Sequence, residues 1–209
     1  MAYGITTYSF IWEEVIRRLP DFTCIAIDFP GCGQSDKSLD EPYSIRNHTE
    51  TLFEFIETIS ADPVHLAGHD IGGGICQRLA VIHPQKMQSM TLVNPVGFDY
   101  WPVQPIESLR TPIIRQLVLG VMDLGMLTFV VRRGFYQKDY VNDALLEKFY
   151  KPFHTSEGRK AFLHFARSLD NRDLMEIADQ LPAVQIPTVL IRGDADVYLD
   201  ENIIEDLAA

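Results

Sequence analysis

The pentapeptide Gly68-His69-Asp70-Ile71-Gly72 restricts this chain more than any other feature, because of what stands on either side of it. Before it, Pro63 to Gly68 (PVHLAG) is a short apolar run that reads as a strand. After it, a helical pattern runs from about Gly73 to Ile82 and is closed by His83-Pro84. Two glycines flanking a polar residue let the chain pass from strand to helix in a very tight turn. The side chain between them is pushed out at the carboxyl end of the strand, in the positive field of the helix N-terminus. The same glycines would also suit a plain packing turn whose Asp caps the helix, so the chemistry of Asp70 has to be weighed beside that alternative.

The remaining elements place this turn in a layered fold. Ser9 to Leu19 has helical spacing and ends at Pro20. Phe22 to Asp28 (FTCIAID) reads as a buried strand, followed by a loop from Phe29 to Asp36. Ser44 is a candidate cap for a helix to about Ile59, with Leu52, Phe53, Ile56 and Ile59 on one face. Met90 to Val93 and Thr188 to Arg192 complete the strands. Early strands alternating with helices predict a mostly parallel sheet covered on both faces. Between Pro95 and Pro187 the pattern turns helical and aromatic-rich, which predicts an inserted helical cap. The expected division is a core of residues 1–96 and 183–209 and a cap of residues 97–182.

Composition sets the class of partner. Of 209 residues, 46% are hydrophobic and 22% charged, as in an ordinary globular chain. The formal net charge of −11 disfavours nucleic acid, so the expected partner is a small-molecule substrate, with self-association as a further expectation. Cys24, Cys32 and Cys76 are too few and too scattered for a disulfide framework or a zinc cluster, which fits a reducing, cytoplasmic setting. No run of 18 apolar residues occurs, so no membrane partner is expected; the longest apolar-biased stretch, Ile113 to Val131, is interrupted by polar residues and glycines. The opening MAYGITTYSF shows no signal-peptide pattern.

A carboxylate at the tip of a strand–helix turn needs no general base to attack: it is expected to be ionised at neutral pH, and the helix dipole to keep it so. Its targets are sp³ carbons bearing a leaving group, and the product is a covalent ester. The backbone N–H of Ile71 is then the donor placed to stabilise the oxyanion when water attacks that ester.

Four stretches resemble the α/β-hydrolase superfamily, and within it the aspartate-nucleophile branch of haloalkane dehalogenases, fluoroacetate dehalogenases and epoxide hydrolases. Asp28-Phe29-Pro30-Gly31-Cys32-Gly33-Gln34-Ser35 is similar to the family's D-x-x-G-x-G-x-S loop, and Gly68 to Gly73 to its nucleophile elbow. His83-Pro84 with Met90 to Asn94 is similar to the passage after the elbow, and Gly193-Asp194-Ala195-Asp196 to the segment that places the acid. The resemblance implies an α/β-hydrolase fold, Asp70 as nucleophile, Asp196 as the acid that orients a histidine, and hydrolysis of alkyl halides, haloacids, epoxides or esters. It implies no metal and no organic cofactor. Asn94 stands where some dehalogenases carry the acid, but an amide cannot do that work; Asp194 is read as a loop-capping carboxylate.

The resemblance has gaps. The family's His-Gly oxyanion segment, due before the helix around Trp12, is absent. The base histidine, due roughly 25–30 residues after Asp196 by chain order, has no counterpart. Ile71 replaces a tryptophan common in dehalogenases. The expectation is therefore a chain lacking the first strands and the last strand–helix unit, or else a hydrolase-like protein without turnover. Among the internal histidines, His65 is expected to be packed in its strand, His69 to buttress the turn, and His48 and His83 to be partly exposed; His154 and His164 are the candidates for a substitute base. Tyr136, Tyr140 and Tyr150 could assist a leaving oxygen but are expected to pack. The apolar stripe Leu117 to Val131 is expected to form the cap's core. Gly31-Cys32-Gly33 lacks the third glycine of a dinucleotide loop, and Cys32 and Cys76 are expected to be inert and buried.

Overall fold

The computed structural model describes residues 1–100 and 125–209. Its sheet has three parallel strands in the order β1 (Val64–Asp70), β2 (Met87–Pro95), β3 (Thr188–Ile191). Leu66 lies opposite Met90, and Met90 opposite Thr188, so the three carboxyl ends meet at one edge of the molecule. Met1–Tyr3 runs parallel to the free side of β1: Ala2 N–H donates to the Ala67 carbonyl at 2.8 Å, and the Ala2 carbonyl accepts from His69 N–H at 3.1 Å.

The helices follow from local chemistry. The segment predicted over Ser9–Leu19 is a 3₁₀ turn, Ser9–Trp12, leading into α1 (Glu13–Arg17). Ser44 caps α2 (Ile45–Ile59), accepting from Asn47 N–H at 3.1 Å. α3 (Ile71–Ile82) begins directly at the elbow and is buried from Ile71 to Ala80, because it packs against β1, β2 and α2 together. The described part of the stretch from Pro95 to Pro187 is helical beyond the end of β2: α4 (Leu127–Gly134), α5 (Asp143–Tyr150), α6 (Ser156–Ser168) and α7 (Arg172–Ala178). Asn142 and Thr155 cap α5 and α6 through Leu145 N–H and Gly158 N–H. α7 packs on α2 and α3, where the buried Arg78 pairs with Glu176 and donates to the Asp173 carbonyl at 2.8 Å. α8 (Asn202–Ala208) lies against β2. Among the described residues, no helix is long and apolar enough to cross a membrane.

Several expectations need correction. Phe22–Asp28 is not a strand, and Phe22 is 62% exposed. Met1–Tyr3 lies between it and β1, and Ile25 receives from that side the Met1 amino group at 2.8 Å rather than a ladder of bonds. His48 is buried, not partly exposed, because it shares the inward stripe of α2 with Ile45, Leu52 and Ile56. It stacks on Phe29 at 4.9 Å, and burial pushes its pKa down to about 4. His65 is exposed at the start of β1, 2.7 Å from Ser89 Oγ. Tyr136 and Tyr140 are exposed rather than packed; Tyr150 is held by Thr128 at 3.0 Å. Of the stripe Leu117–Val131, residues up to 124 lie outside the described residues; Leu127 and Val131 are buried, Phe129 exposed.

Candidate active site

Asp70 ends β1 and precedes α3 with φ 52° and ψ −119°, a conformation an L-residue adopts only where the surroundings enforce it. The enforcing contacts are backbone to backbone. A Cβ on Gly68 would stand 2.3 Å from the Gly72 carbonyl oxygen, and one on Gly72 2.4 Å from the Ala2 carbonyl carbon. The turn is therefore tight enough to require glycine at both places, as the spacing predicts. Cys32 and Cys76 are buried, and burial pushes both thiols up to about 12, too high for a reactive thiolate at neutral pH.

The carboxylate is gripped from two sides. Its Oδ2 accepts from Ile5 N–H at 3.1 Å, and the Ile71 N–H also faces the carboxyl group. These two amides come from a loop after the Met1–Tyr3 segment and from the start of α3, an arrangement that can hold a developing oxyanion. The sequence has no His-Gly, but Tyr3-Gly4-Ile5 delivers the N–H through its backbone. Gly4 makes room for this, since a Cβ there would lie 2.2 Å from Asp70 Oδ2.

Asp196 follows β3 and sits at the same end of the sheet. Its Oδ1 accepts from Tyr198 N–H at 2.7 Å and Leu199 N–H at 3.2 Å. Its Oδ2 accepts from Asn94 Nδ2, while Asn94 Oδ1 accepts from Gly193 N–H at 3.1 Å. Asn94, an amide that cannot serve as an acid, clamps the Asp196 loop to β2. Asp194 is exposed. None of the six histidines hydrogen-bonds Asp70 or Asp196. His154 faces Glu147 at 3.6 Å, His164 Nε2 lies 2.9 Å from the Glu41 carbonyl, and His83 stacks on Phe53. His69 is tucked beside the elbow with its Nδ1 buried and unpartnered. Among the described residues, no cluster of three His, Cys, Asp or Glu side chains is placed to hold a metal ion.

Burial pushes the Asp70 carboxyl up to about 7, with the negative charge of Asp196 adding to the rise and the two amides opposing it. This departs from the full ionisation expected at neutral pH: desolvation outweighs the pull of the helix N-terminus. A carboxyl raised in the folded state stabilises the fold below its unfolded value and loses that contribution as pH climbs to about 7. Asp70→Asn keeps an acceptor for Ile5 and removes the titration. The variant should match the parent near pH 4.5 and exceed it by on the order of 2–4 kcal/mol at pH 8. Urea midpoints of both proteins at the two pH values test this; a constant difference between them contradicts the raised pKa.

The fold and this geometry have clear relatives. Residues 1–117 match the family model for the alpha/beta hydrolase fold. The chain is 26% identical over 226 residues to a monoacylglycerol lipase of Xenopus laevis, a match covering 100% of this chain and 64% of the lipase. It is 23% identical over 219 residues to an epoxide hydrolase of Caenorhabditis elegans, covering 97% of this chain and 61% of that protein. Among solved structures, it superposes on an ancestral haloalkane dehalogenase with a TM-score of 0.78 at 25% identity, covering 92% of this chain and 72% of the dehalogenase. The chain thus spans under two thirds of the length of those two curated relatives. With a parallel sheet, a strained residue on a glycine-flanked elbow and a family model matching more than half its residues, the chain belongs to the α/β-hydrolase fold family.

Proposed function

We propose that Asp70 is the nucleophile of a hydrolase acting on small, largely apolar electrophiles (alkyl halides, haloacids or epoxides, with esters as an extension) through a covalent aspartyl ester. The observation that carries the reading is the grip on Asp70: Oδ2 faces Ile5 N–H at 3.1 Å on a strained elbow. Held there, Oδ2 becomes the carbonyl oxygen of the ester and Oδ1 attacks carbon. With an alkyl halide, the new C–O bond forms as the carbon–halogen bond breaks, and halide leaves with the electron pair. With an epoxide, the ring C–O bond breaks and the alkoxide takes a proton from solvent. Hydrolysis adds water to the ester carbonyl carbon, the Ile5 and Ile71 amides hold the resulting oxyanion, and collapse releases the alcohol and restores Asp70.

Asp196 is read as the acid of the triad, residues 97–182 as the cap over the substrate, and the cytoplasm as the setting. Water attack gains about 10²–10⁴ in rate from a general base. The described histidines are engaged elsewhere or buried without a partner. The 209-residue chain is therefore expected to load faster than it turns over. Intact-mass and peptide mass spectrometry after incubation with 1-bromobutane or 1,2-epoxyhexane should find one adduct per chain, on the peptide containing Asp70. Its formation rate should climb with pH around a midpoint near 7, where Asp70 ionises. The absence of any adduct on a folded protein would favour a hydrolase-like binding protein without turnover. Sustained product release would show that a base is at hand.

A further inference from the structure

Tyr198 stands between two parts of the molecule that the chemistry has to coordinate. Its backbone N–H donates to Asp196 Oδ1 at 2.7 Å, closing the turn that fixes the carboxylate. Its hydroxyl reaches the other way and donates to the Val130 carbonyl of α4 at 2.7 Å. The Arg133 guanidinium, also on α4, lies 5.9 Å from the centre of the Tyr198 ring, and a Cβ on Gly134 would meet Tyr198 Cε2 at 3.1 Å. One side chain thus ties the loop carrying Asp196 to the last turns of α4, within the stretch assigned to the cap.

We infer that Tyr198 is a positioning residue that couples α4 to the Asp196 loop, so that the placement of α4 sets how close the Asp196 carboxylate stands to Asp70. The inference rests on the reading of Asp70 and Asp196 as one site, and it adds a regulator to that site. A displacement of α4 is passed through the Tyr198–Val130 bond to the Asp196 loop. The charged and titratable groups facing this carboxylate are Asp70 and His69 from the end of β1, Tyr198 from its own loop and, through the Tyr198 ring, Arg133 from α4. Because the Asp196 charge helps hold Asp70 in its protonated form, loosening the tie has a readable consequence at a residue Tyr198 does not touch.

Tyr198→Phe keeps the ring, its contact with Arg133 and the backbone turn, and removes only the bond to Val130. Carbon-13 NMR titration of the aspartate carboxyl carbons reads Asp70 without any reaction, so the result is separate from whether Asp70 alkylates. The midpoint of Asp70 should fall by about half a pH unit in Tyr198→Phe and further in Tyr198→Leu, which also loses the ring contact with Arg133. A purely structural tyrosine would lower thermal stability while leaving that midpoint in place. An unchanged midpoint in both folded variants overturns the coupling. An adduct-free parent protein with shifted midpoints would instead overturn the proposed chemistry and leave the coupling standing. If Tyr198→Leu fails to fold, Tyr198→Phe alone decides.

Discussion

Asp70→Asn is expected to abolish covalent capture of an alkyl halide, with the labelling rate falling by at least about 10³-fold. The amide is a poor nucleophile, yet it is nearly the size of the carboxylate and its oxygen can still accept from Ile5 and Ile71, so the pocket around it should stay assembled. The loss should therefore come without a loss of fold, and the variant should be the more stable protein above pH 7. That pairing separates a catalytic role from a packing one, because a packing role for Asp70 would lower both labelling and stability. Intact-mass kinetics with 1-bromobutane alongside urea unfolding at pH 8 measure the two quantities. Residual labelling at a tenth of the parent rate, on the same peptide, would move the nucleophile away from Asp70.

How much of this was legible from the amino-acid sequence depends on how local each signal is. The elbow was readable because its cause lies within five residues: glycines at 68 and 72 are needed by contacts between the end of β1 and the first turn of α3, with the Ala2 backbone close behind. The Ser44 cap and the helix it starts were readable for the same reason. The position of Asp196 at the carboxyl end of the sheet was readable from its place just past a strand, since parallel strands bring their carboxyl ends together. The Ile5 donor was missed because a backbone N–H leaves no side-chain signature. The available signal was Gly4, a glycine near the chain's first helix where no His-Gly stands. His48 was misplaced although its offsets of three from Ile45 and four to Leu52 put it on the buried stripe.

Other misreadings are non-local in origin. Phe22–Asp28 has the composition of a strand, but a strand needs a partner of matching length, and no local pattern reveals what will lie beside it. The ionisation of Asp70 was inferred from the helix it precedes. Its actual balance is set by desolvation among segments far apart in the chain and by Asp196, 126 residues later. The elbow that carries Asp70 is a local feature; the ionisation of its carboxyl is a property of the assembled fold.

Gly68→Ala should be strongly destabilising. Its methyl would sit 2.3 Å from the Gly72 carbonyl oxygen, 2.6 Å from the carbon behind it and 2.7 Å from Gly73 nitrogen. All three atoms are backbone, so no rotamer change relieves the clash; either β1 or the first turn of α3 has to move. α3 is held against β1, β2 and α2 and is buried along nearly its whole length, so a shift there disturbs the best-packed part of the core. A cost of about 4 kcal/mol or more is expected, a large share of the roughly 5–15 kcal/mol that holds a typical domain together. Gly193→Ala provides the control. Its methyl would meet nothing closer than Asn94 Oδ1 at 3.9 Å, and the Gly193 N–H that bonds Asn94 is retained, so about 1 kcal/mol or less is expected. Gly4→Ala isolates the site from the core: its methyl would stand 2.2 Å from Asp70 Oδ2, displacing the carboxylate from Ile5. Labelling should then fall by about 10²–10³-fold, the scale seen when a single oxyanion donor is lost. Urea midpoints of the three variants measure the first two effects and labelling rates the third. Equal midpoints for Gly68→Ala and Gly193→Ala would mean that the elbow is looser than its contacts say.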